Sequence, residues 1–483
     1  MALKKLQNYI NGEWLDSEST RYEEVIDPGT AEPVALEPMS TPAEADAAIE
    51  AAQDAFLEWR QTPPVTRARY MFRLKEAMEA RFEEISETVT IENGKILDEA
   101  RGEVRRAIEN VEVAAGIPSL LMGYNAEDVA QSIDEEALRQ PIGVFSMIAP
   151  FNFPAMVPFW FLPYAVACGD TFVLKPSRQT PMTANLLYEI LDETMLPPGV
   201  VNLVNGTHDV ADRLMEHPYI KGVSFVGSTR GGRYIYSHSA QYGKRVQAQG
   251  GAKNYLVVMP DANIPRTVAA ILTSAYGCAG QRCLAGSNLV CLGGVEKKIA
   301  PALRQAVAAL HVGYGLDAAS QMGPVISAEA KAKIEGYIDG AAAEGAEMLV
   351  DGRGLVVPGY EKGSFVGPTL MNTRRDMAIA REEVFGPTLG IIAADDLDEA
   401  IEMIHENPHG NAASIFTASG GAAREFKYRV FCGNIGINVG IAAPMATFPF
   451  GGMKDSFFGD LHGQGRDGIE FFTDRKVVIS RWF

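Results

Sequence analysis

Three observations predict an α/β protein built from more than one structural unit. The chain has 483 residues, and a chain of that length is expected to form two or three units. From Pro141 onward, short apolar strands alternate with helical stretches, a pattern typical of parallel sheets with right-handed crossovers. The alternation starts again near Tyr255, which predicts a second α/β unit.

The region before Pro141 is predicted as short strands followed by three helices. Residues 6–36 place turn signals between short apolar runs. Thr41 and Glu44 enclose Pro42 in a capping-box pattern, which predicts a helix start. The helices are expected over residues 41–59, 66–92 and 97–115.

The first parallel sheet also predicts where a ligand would bind. Ligands of such sheets lie at the carboxyl ends of the strands, and Asn152, Lys175 and Gly227 each follow a predicted strand. The Gly-x-Gly-x-x-Gly dinucleotide fingerprint is absent from the sequence. The strands are expected at 143–148, 171–174, 200–203, 222–225 and 245–247 in the first unit, and at 256–259, 288–292, 388–392 and 412–416 in the second.

Composition limits the classes of partner and the compartment. The formal net charge of −18 disfavours nucleic acid or an anionic membrane, since either needs a basic face. Five cysteines without a repeated Cys-x-x-Cys pair disfavour a disulfide scaffold or a metal site, and we expect the reducing cytoplasm. The N-terminus lacks a secretory apolar core. The uncharged run between Arg139 and Asp170 holds five prolines, so it is not expected to span a membrane.

The stretch Tyr276–Ser287 holds the candidate nucleophile, Cys283. Glycines at 280 and 286 allow a sharp turn and close approach of a ligand. Arg282 and free backbone N–H groups beside the sulfur are expected to lower the pKa of the thiol and make it nucleophilic. The alternative is an inert cysteine buried in a tight turn.

Six sequence elements together resemble the aldehyde dehydrogenase superfamily. They occur in that superfamily's order over nearly the whole chain, with Phe151 where it usually has tryptophan. The elements are Gly280–Cys283 (GQRC), Met147–Pro154 (MIAPFNFP), Leu174–Ser177 (LKPS), Phe225–Thr229 (FVGST), Glu382–Pro387 (EEVFGP) and Pro449–Gly452 (PFGG).

The resemblance implies a fold of three parts. A Rossmann-type cofactor domain is expected over residues 1–119 and 141–250, and an α/β catalytic domain over residues 251–460. An oligomerisation arm is expected over residues 120–140 and 461–483, where the chain's own C-terminal strand, near 476–482, pairs with the arm. The implied assembly is a homotetramer.

The resemblance also assigns roles to residues. Cys283 would attack the aldehyde carbon, and the side chain of Asn152 would stabilise the oxyanion. Without the resemblance, each residue type has a more common structural role. An asparagine beside prolines is more often a turn former, and a single charged residue is more often on the surface. Large apolar residues usually belong to the core. The implied cofactor is NAD, contacted by Ala149, Phe151, Lys175, Arg178, Gly227, Ser228, Gln249, Glu383 and Phe385. Phe153, Trp160, Phe385 and Phe450 would line the substrate and cofactor tunnel.

Position 249 divides the family. Hydrolytic members carry a glutamate 34 residues before the cysteine, whereas this chain has Gln249, and an amide cannot take a proton from water at neutral pH. The stretch around Gln249 resembles the coenzyme A-acylating methylmalonate-semialdehyde dehydrogenase branch, in which coenzyme A accepts the acyl group. That branch binds the substrate carboxylate with two arginines, which match Arg106 and Arg282. Otherwise Arg106 would be a solvated helix charge paired with Glu103 or Glu109.

Two positions depart from the branch. Arg178 replaces the usual glutamate for the adenosine ribose, so NADP is expected to be tolerated beside NAD. Tyr255 stands where histidine is common. The leading hypothesis is a coenzyme A-acylating oxidation of malonate or methylmalonate semialdehyde, giving acetyl- or propionyl-coenzyme A and carbon dioxide. The alternatives are a hydrolysing aldehyde dehydrogenase and a non-catalytic protein on the same fold.

Overall fold

The computed structural model describes residues 3–483 and contains two large, mostly parallel sheets. The first sheet has eight strands, with five parallel strands in its centre and antiparallel strands at both edges. Its order is Phe457–Gly459, Arg245–Gln249, Ile220–Val226, Val144–Ile148, Thr171–Lys175, Val201–Leu203, Asn8–Ile10 and Glu13–Leu15.

The second sheet has seven strands and is parallel except at one edge, where Glu347–Val350 runs antiparallel to its neighbour. Its order is Glu347–Val350, Thr369–Asn372, Thr388–Ala394, Gly286–Leu292, Asn254–Val258, Ala412–Phe416 and Asn434–Ile437. The central strands of both sheets are buried on both faces, as the apolar runs in the sequence predicted.

Helices cover both sheets and begin where the local sequence favours it. Thr41 and Glu44 form the capping box that the sequence predicted, at the start of Pro42–Trp59. Gly94, at φ 92°, ends the third helix. The α-helices are Pro42–Trp59, Pro64–Ala80, Phe82–Asn93, Leu97–Ala115, Ile117–Leu120, Met156–Phe159, Leu162–Cys168, Pro181–Glu193, His208–Glu216, Thr229–Gln241, Ile264–Tyr276, Glu296–Ala308, Ala328–Ala343, Ala378–Arg381, Leu397–Glu406, Gly420–Arg429 and Gly465–Phe471.

The arm is a separate antiparallel sheet of three strands, Tyr124–Ala130, Ile133–Pro141 and Thr473–Arg481. All nine residues of the C-terminal strand pair with Ile133–Pro141, so the expected pairing of the arm with the chain's C-terminus is confirmed. Smaller sheets join Lys4–Lys5, Glu32–Pro38 and Tyr22–Asp27, and His409–Gly410 with Met453–Lys454.

Two differences from the sequence expectation concern helix and domain limits. The helix expected over residues 66–92 is two helices that meet at Arg81, where the backbone leaves the helical conformation and the side chain binds Glu84, Glu189 and Glu193. Strand Phe457–Gly459 pairs with Arg245–Gln249 in the first sheet, although it lies in the range predicted as catalytic domain.

Candidate active site

Cys283 follows a strained turn between the helix Ile264–Tyr276 and the strand Gly286–Leu292. Cys278 and Ala279 have φ values of 51° and 50°, and Gly280 has φ 68°. Left-handed backbone is costly for residues other than glycine and is frequent at functional sites. A Cβ on Gly280 would lie 2.1 Å from the carbonyl oxygen of Gly386, so glycine is required there.

Two asparagine side chains fix the backbone of the nucleophile. The carbonyl oxygen of Cys283 accepts hydrogen bonds from Nδ2 of Asn254 at 2.8 Å and from Nδ2 of Asn411 at 2.7 Å. Asn254 also donates to the carbonyl of Ala285 at 2.9 Å. Sequence reasoning missed both residues as positioning groups, since Asn411 lies 128 positions from Cys283 and no local signal connects them.

Asn152 lies beside the nucleophile loop, as its predicted role as oxyanion donor requires. Its Nδ2 donates to the carbonyl oxygen of Gln281 at 3.1 Å, and the residue is buried. Gln281 is itself held, because its side-chain oxygen accepts a hydrogen bond from the N–H of Ile326 at 3.0 Å. The amide that would meet the oxyanion is therefore next to the backbone that carries Cys283.

A buried ion pair holds the loop that carries Asn152. Nζ of Lys95 lies 2.5 Å from Oε2 of Glu103 and donates to the carbonyl of Asn152 at 2.7 Å. Oε1 of Glu103 accepts the N–H groups of Ala155 and Met156 at 2.8 and 3.1 Å. No sequence signal indicates this pair beyond two charges eight residues apart near the start of a helix.

A cavity of about 280 Å³ opens beside Cys283. Its wall contains both predicted carboxylate-binding arginines and most of the predicted tunnel residues. Trp160 and Phe450 pack with ring centroids 4.3 Å apart. The members of the wall that were predicted from the sequence are Arg106, Phe153, Trp160, Arg282, Cys283 and Phe450.

The two arginines are held by different partners. Nη1 of Arg106 lies 3.2 Å from Oε2 of Glu109, so the helix ion pair considered from the sequence is present although the side chain also faces the cavity. Nη2 of Arg282 donates to the carbonyls of Thr273 and Ser274 at 2.6 and 3.2 Å. Its buried Nε has no hydrogen-bond partner within residues 3–483.

The pKa of the nucleophile differs from the sequence expectation. Burial raises the pKa of the Cys283 thiol to about 12, and the negative charge of Glu383 acts in the same direction. The charge of Arg282 opposes this rise but does not overcome it. The expected lowering was wrong, because Arg282 directs Nη2 at backbone carbonyls and its charge does not offset the desolvation of the thiol.

The side chain of Gln249 is held by Phe450, a residue of the cavity wall. Its Nε2 donates to the carbonyl oxygen of Phe450 at 2.8 Å, and the residue is 3% exposed. Its side-chain oxygen is buried without a hydrogen-bond partner in the part of the chain that the structure describes. A glutamate at position 249 would place an ionised carboxylate, which has no proton to donate, against the carbonyl oxygen of Phe450.

The predicted cofactor residues gather at the carboxyl edge of the first sheet. Lys175 ends its strand, and its carbonyl accepts the N–H of Ala149 at 2.9 Å. Ser228 caps the helix Thr229–Gln241, whose N-terminus faces this edge. At Gly227 a Cβ would lie 2.5 Å from the ring of Phe225, so only glycine fits there. These features fit a dinucleotide.

Two further cofactor candidates come from the second sheet's loops. Phe385 adopts φ 58°, and its ring meets that of Phe151 edge to face at 5.9 Å. Oε1 of Glu383 accepts the N–H of Ala252 at 2.7 Å, and burial raises the pKa of its carboxyl. The loop after Glu382 thus reaches the edge of the first sheet.

Arg178 has a partner that sequence reasoning missed. Its Nη1 lies 2.5 Å from Oε2 of Glu23, and Arg21 binds the other oxygen of the same carboxylate. The charge that was expected to favour a 2′-phosphate thus shares a glutamate, 155 positions earlier in the chain, with Arg21.

The described residues form neither a metal-binding cluster nor a membrane-spanning helix. Between residues 3 and 483, no group of three or more His, Cys, Asp or Glu side chains is placed to hold a metal ion. Over the same residues, no helix is long and apolar enough to cross a membrane. All five cysteines are free thiols.

Comparison with known proteins gives consistent matches over the full chain. The profile of the aldehyde dehydrogenase family matches residues 14–478. Malonate-semialdehyde dehydrogenase 2 of Geobacillus kaustophilus (strain HTA426) is 46% identical over 482 residues, covering 100% of this chain and 99% of the relative. The crystal structure of methylmalonate-semialdehyde dehydrogenase from Oceanimonas doudoroffii is 42% identical, with a TM-score of 0.98 and 99% of each chain covered. A Sinorhizobium meliloti 1021 protein solved in complex with NAD is 38% identical, with a TM-score of 0.98, covering 100% of this chain and 98% of that one.

Proposed function

Since the chain belongs to the aldehyde dehydrogenase family, we propose that it oxidises malonate or methylmalonate semialdehyde with NAD and transfers the acyl group to coenzyme A. Relatives at 46% and 42% identity carry the names malonate-semialdehyde and methylmalonate-semialdehyde dehydrogenase. The products are then acetyl- or propionyl-coenzyme A and carbon dioxide.

The cavity supports a substrate that is both aldehyde and carboxylate. Cys283, Arg106 and Arg282 share one wall, so a short molecule can reach the sulfur with one end and a guanidinium with the other. A guanidinium fork binds a planar carboxylate with two parallel hydrogen bonds. The aromatic rings of Phe153, Trp160 and Phe450 cover the apolar part.

The chemistry assigned to these residues begins at the sulfur. Cys283 adds to the aldehyde carbon, and Asn152 together with the Cys283 N–H stabilises the resulting oxyanion. NAD, when bound, supplies the hydride acceptor for the oxidation. The protein is left with a thioester on Cys283, and a carboxylate β to its carbonyl is lost as carbon dioxide. The thiol of coenzyme A then takes the acyl group and restores Cys283.

The side chain of Gln249 is the observation that carries the choice of coenzyme A over water. Water is a weak nucleophile and needs a base, whereas Gln249 is a neutral amide that donates to the Phe450 carbonyl. A thiol needs less assistance, since an appreciable fraction ionises near neutral pH. Thiolysis of the Cys283 thioester is therefore expected to be faster than its hydrolysis.

A rapid-mixing experiment with malonate semialdehyde tests the proposal. Without coenzyme A we expect a burst of about one NADH per active site and then arrest; addition of coenzyme A should start steady turnover. Cys283→Ala should remove the burst, and Cys278→Ala, five residues earlier in the chain, is the matched control. Steady turnover to a free acid without coenzyme A would instead establish the hydrolytic alternative. Absence of any NADH formation would favour the non-catalytic one.

We also propose that the chain works as a homotetramer in the cytoplasm. The arm exposes apolar side chains on one face of its C-terminal strand: Val477 is 62% and Ile479 is 65% exposed. Such residues on an extended strand are typical of surfaces that pair with another subunit. The five free thiols fit a reducing compartment.

A further inference from the structure

Gly102 is a glycine that its own backbone does not require. It lies inside the helix Leu97–Ala115 and lacks the positive φ that would favour glycine. Glycine within a helix is less stable than alanine, because its backbone loses more conformational freedom on folding. A Cβ added at Gly102 would have no atom within 4 Å apart from the backbone of its own helix. The fold therefore neither needs glycine at this position nor excludes a methyl group there.

Gly102 lies in the wall of the cavity beside Cys283, and it is exposed, so a ligand can reach it. Arg106 follows four positions later on the same helix. Residues at this spacing are neighbours on one helix face, with Cβ atoms about 5–6 Å apart, so position 102 borders the place where Arg106 would hold a carboxylate. The same face of the helix adds further members to the wall, which are Glu99, Glu103 and Asn110.

The space around Arg106 is occupied by other side chains but is left open at position 102. Nη1 of Arg106 lies 3.0 Å from Sδ of Met445 and 3.2 Å from Oε2 of Glu109. The loop that carries Met445 also contributes to the wall, through Ile441, Ala443, Pro444 and Ala446. One helical turn before Arg106, in contrast, no side chain is present because the residue is Gly102. A substrate that is wider than an unbranched semialdehyde therefore finds room there.

We propose that Gly102 is a specificity-determining residue that admits semialdehydes branched at the carbon between the aldehyde and the carboxylate, such as methylmalonate semialdehyde. This inference rests on the proposed function. With the carboxylate on Arg106 and the aldehyde carbon at Cys283, the branch point lies between the two and its methyl group takes the space beside Gly102. A side chain at position 102 competes with the branch for that space. Malonate semialdehyde has no branch and does not need it.

Steady-state rates of NADH formation with the two semialdehydes, in the presence of coenzyme A, test the inference. Gly102→Ala should lower kcat/KM for methylmalonate semialdehyde about tenfold more than for malonate semialdehyde, since one methyl group changes specificity roughly 10- to 200-fold in a fitted pocket. Gly102→Val should widen this difference. Urea denaturation of Gly102→Ala should show a midpoint above that of the wild-type protein, as expected for alanine in place of a helical glycine.

Gly336→Ala is the matched control. Gly336 is also exposed and lies inside the helix Ala328–Ala343. A Cβ there would likewise have no atom within 4 Å apart from the backbone of its own helix, but the residue is not part of the cavity wall. This variant should raise the urea midpoint to a similar extent and leave the ratio of the two kcat/KM values as in the wild-type protein.

Two outcomes would overturn the inference. An unchanged ratio of the two kcat/KM values in Gly102→Ala would show that position 102 does not read the branch. A urea midpoint below that of the wild-type protein would show that the fold requires the glycine. Failure of the proposed function is a separate result, because the wild-type protein would then form no NADH with either semialdehyde or would turn over steadily without coenzyme A.

Discussion

The Cys283 thiol has to lose its proton in surroundings that disfavour the charge. With a pKa raised to about 12, the thiol is protonated at neutral pH. At any pH below the pKa, the thiolate fraction increases about tenfold for each unit by which the pH is raised. We therefore expect alkylation of the ligand-free protein by iodoacetamide to accelerate about tenfold per unit between pH 7 and 10. Mass spectrometry of the labelled peptide measures this rate, and Cys283→Ser removes the site. A rate that levels off below pH 8 would mean that the thiol is already activated.

Arg106 offers a second prediction for a single residue. Loss of a charged group that pairs with a carboxylate costs about 2–5 kcal/mol, so Arg106→Leu should reduce kcat/KM for malonate semialdehyde by roughly 30-fold or more. Propanal, which has no carboxylate, should be little affected. Arg105→Leu is the control, because that side chain points to Glu79 at 2.6 Å. Equal losses on both aldehydes would assign Arg106 a structural role.

Individual residues also show what could and could not be predicted from the sequence. Cys283, Arg106 and Arg282 were predicted from motifs and line one cavity. Their supports were not predicted: Asn411 lies 128 positions from Cys283, and Glu23 lies 155 positions from Arg178. Such contacts depend on how distant segments pack, and a single sequence carries no local record of them.

At the level of elements, the turn Gly277–Gly280 permits a sharp stability test. Gly280 and Gly354 have nearly the same φ, 68° and 67°. A Cβ added at Gly280 would clash with the backbone of Gly386, whereas a Cβ added at Gly354 would have no atom within 4 Å. Each alanine variant should lose about 1–2 kcal/mol from the left-handed backbone. Gly280→Ala should lose about 1–3 kcal/mol more from overpacking, together with much of kcat.

Urea denaturation of the two alanine variants measures this difference directly. Equal free energies of unfolding would show that the loop around Gly386 moves aside without cost. In that case the tight contact between the nucleophile turn and the Glu382–Pro387 loop would not determine the position of Cys283.

Elements were predicted best where one local rule governs them. The capping box at Thr41 was read from a few adjacent residues, and Gly94 ends the helix that was expected to stop at residue 92. The helix expected over residues 66–92 is interrupted at Arg81, whose side chain binds two glutamates of the helix Pro181–Glu193. A contact between helices so far apart in the sequence leaves no local signal at Arg81.

At the level of the whole molecule, the arm makes assembly testable. Val477 and Ile479 lie on one face of the C-terminal strand, and a lysine at both positions should prevent burial of that face between subunits. Light scattering after gel filtration should show a smaller species than the wild-type protein. Ser480→Lys on the other face is the control. An unchanged mass for the double variant would place the subunit interface elsewhere.

The hydrogen bond from Gln249 to the Phe450 carbonyl has a consequence for cellular energy supply. Hydrolysis of a thioester releases its free energy as heat, whereas transfer to coenzyme A keeps that energy in a form that later reactions use. A protein that holds its acyl group until coenzyme A arrives also links aldehyde removal to the free coenzyme A pool. When that pool is depleted, the proposed mechanism predicts that oxidation stops after one turnover per site, so that NAD is spared for other reactions.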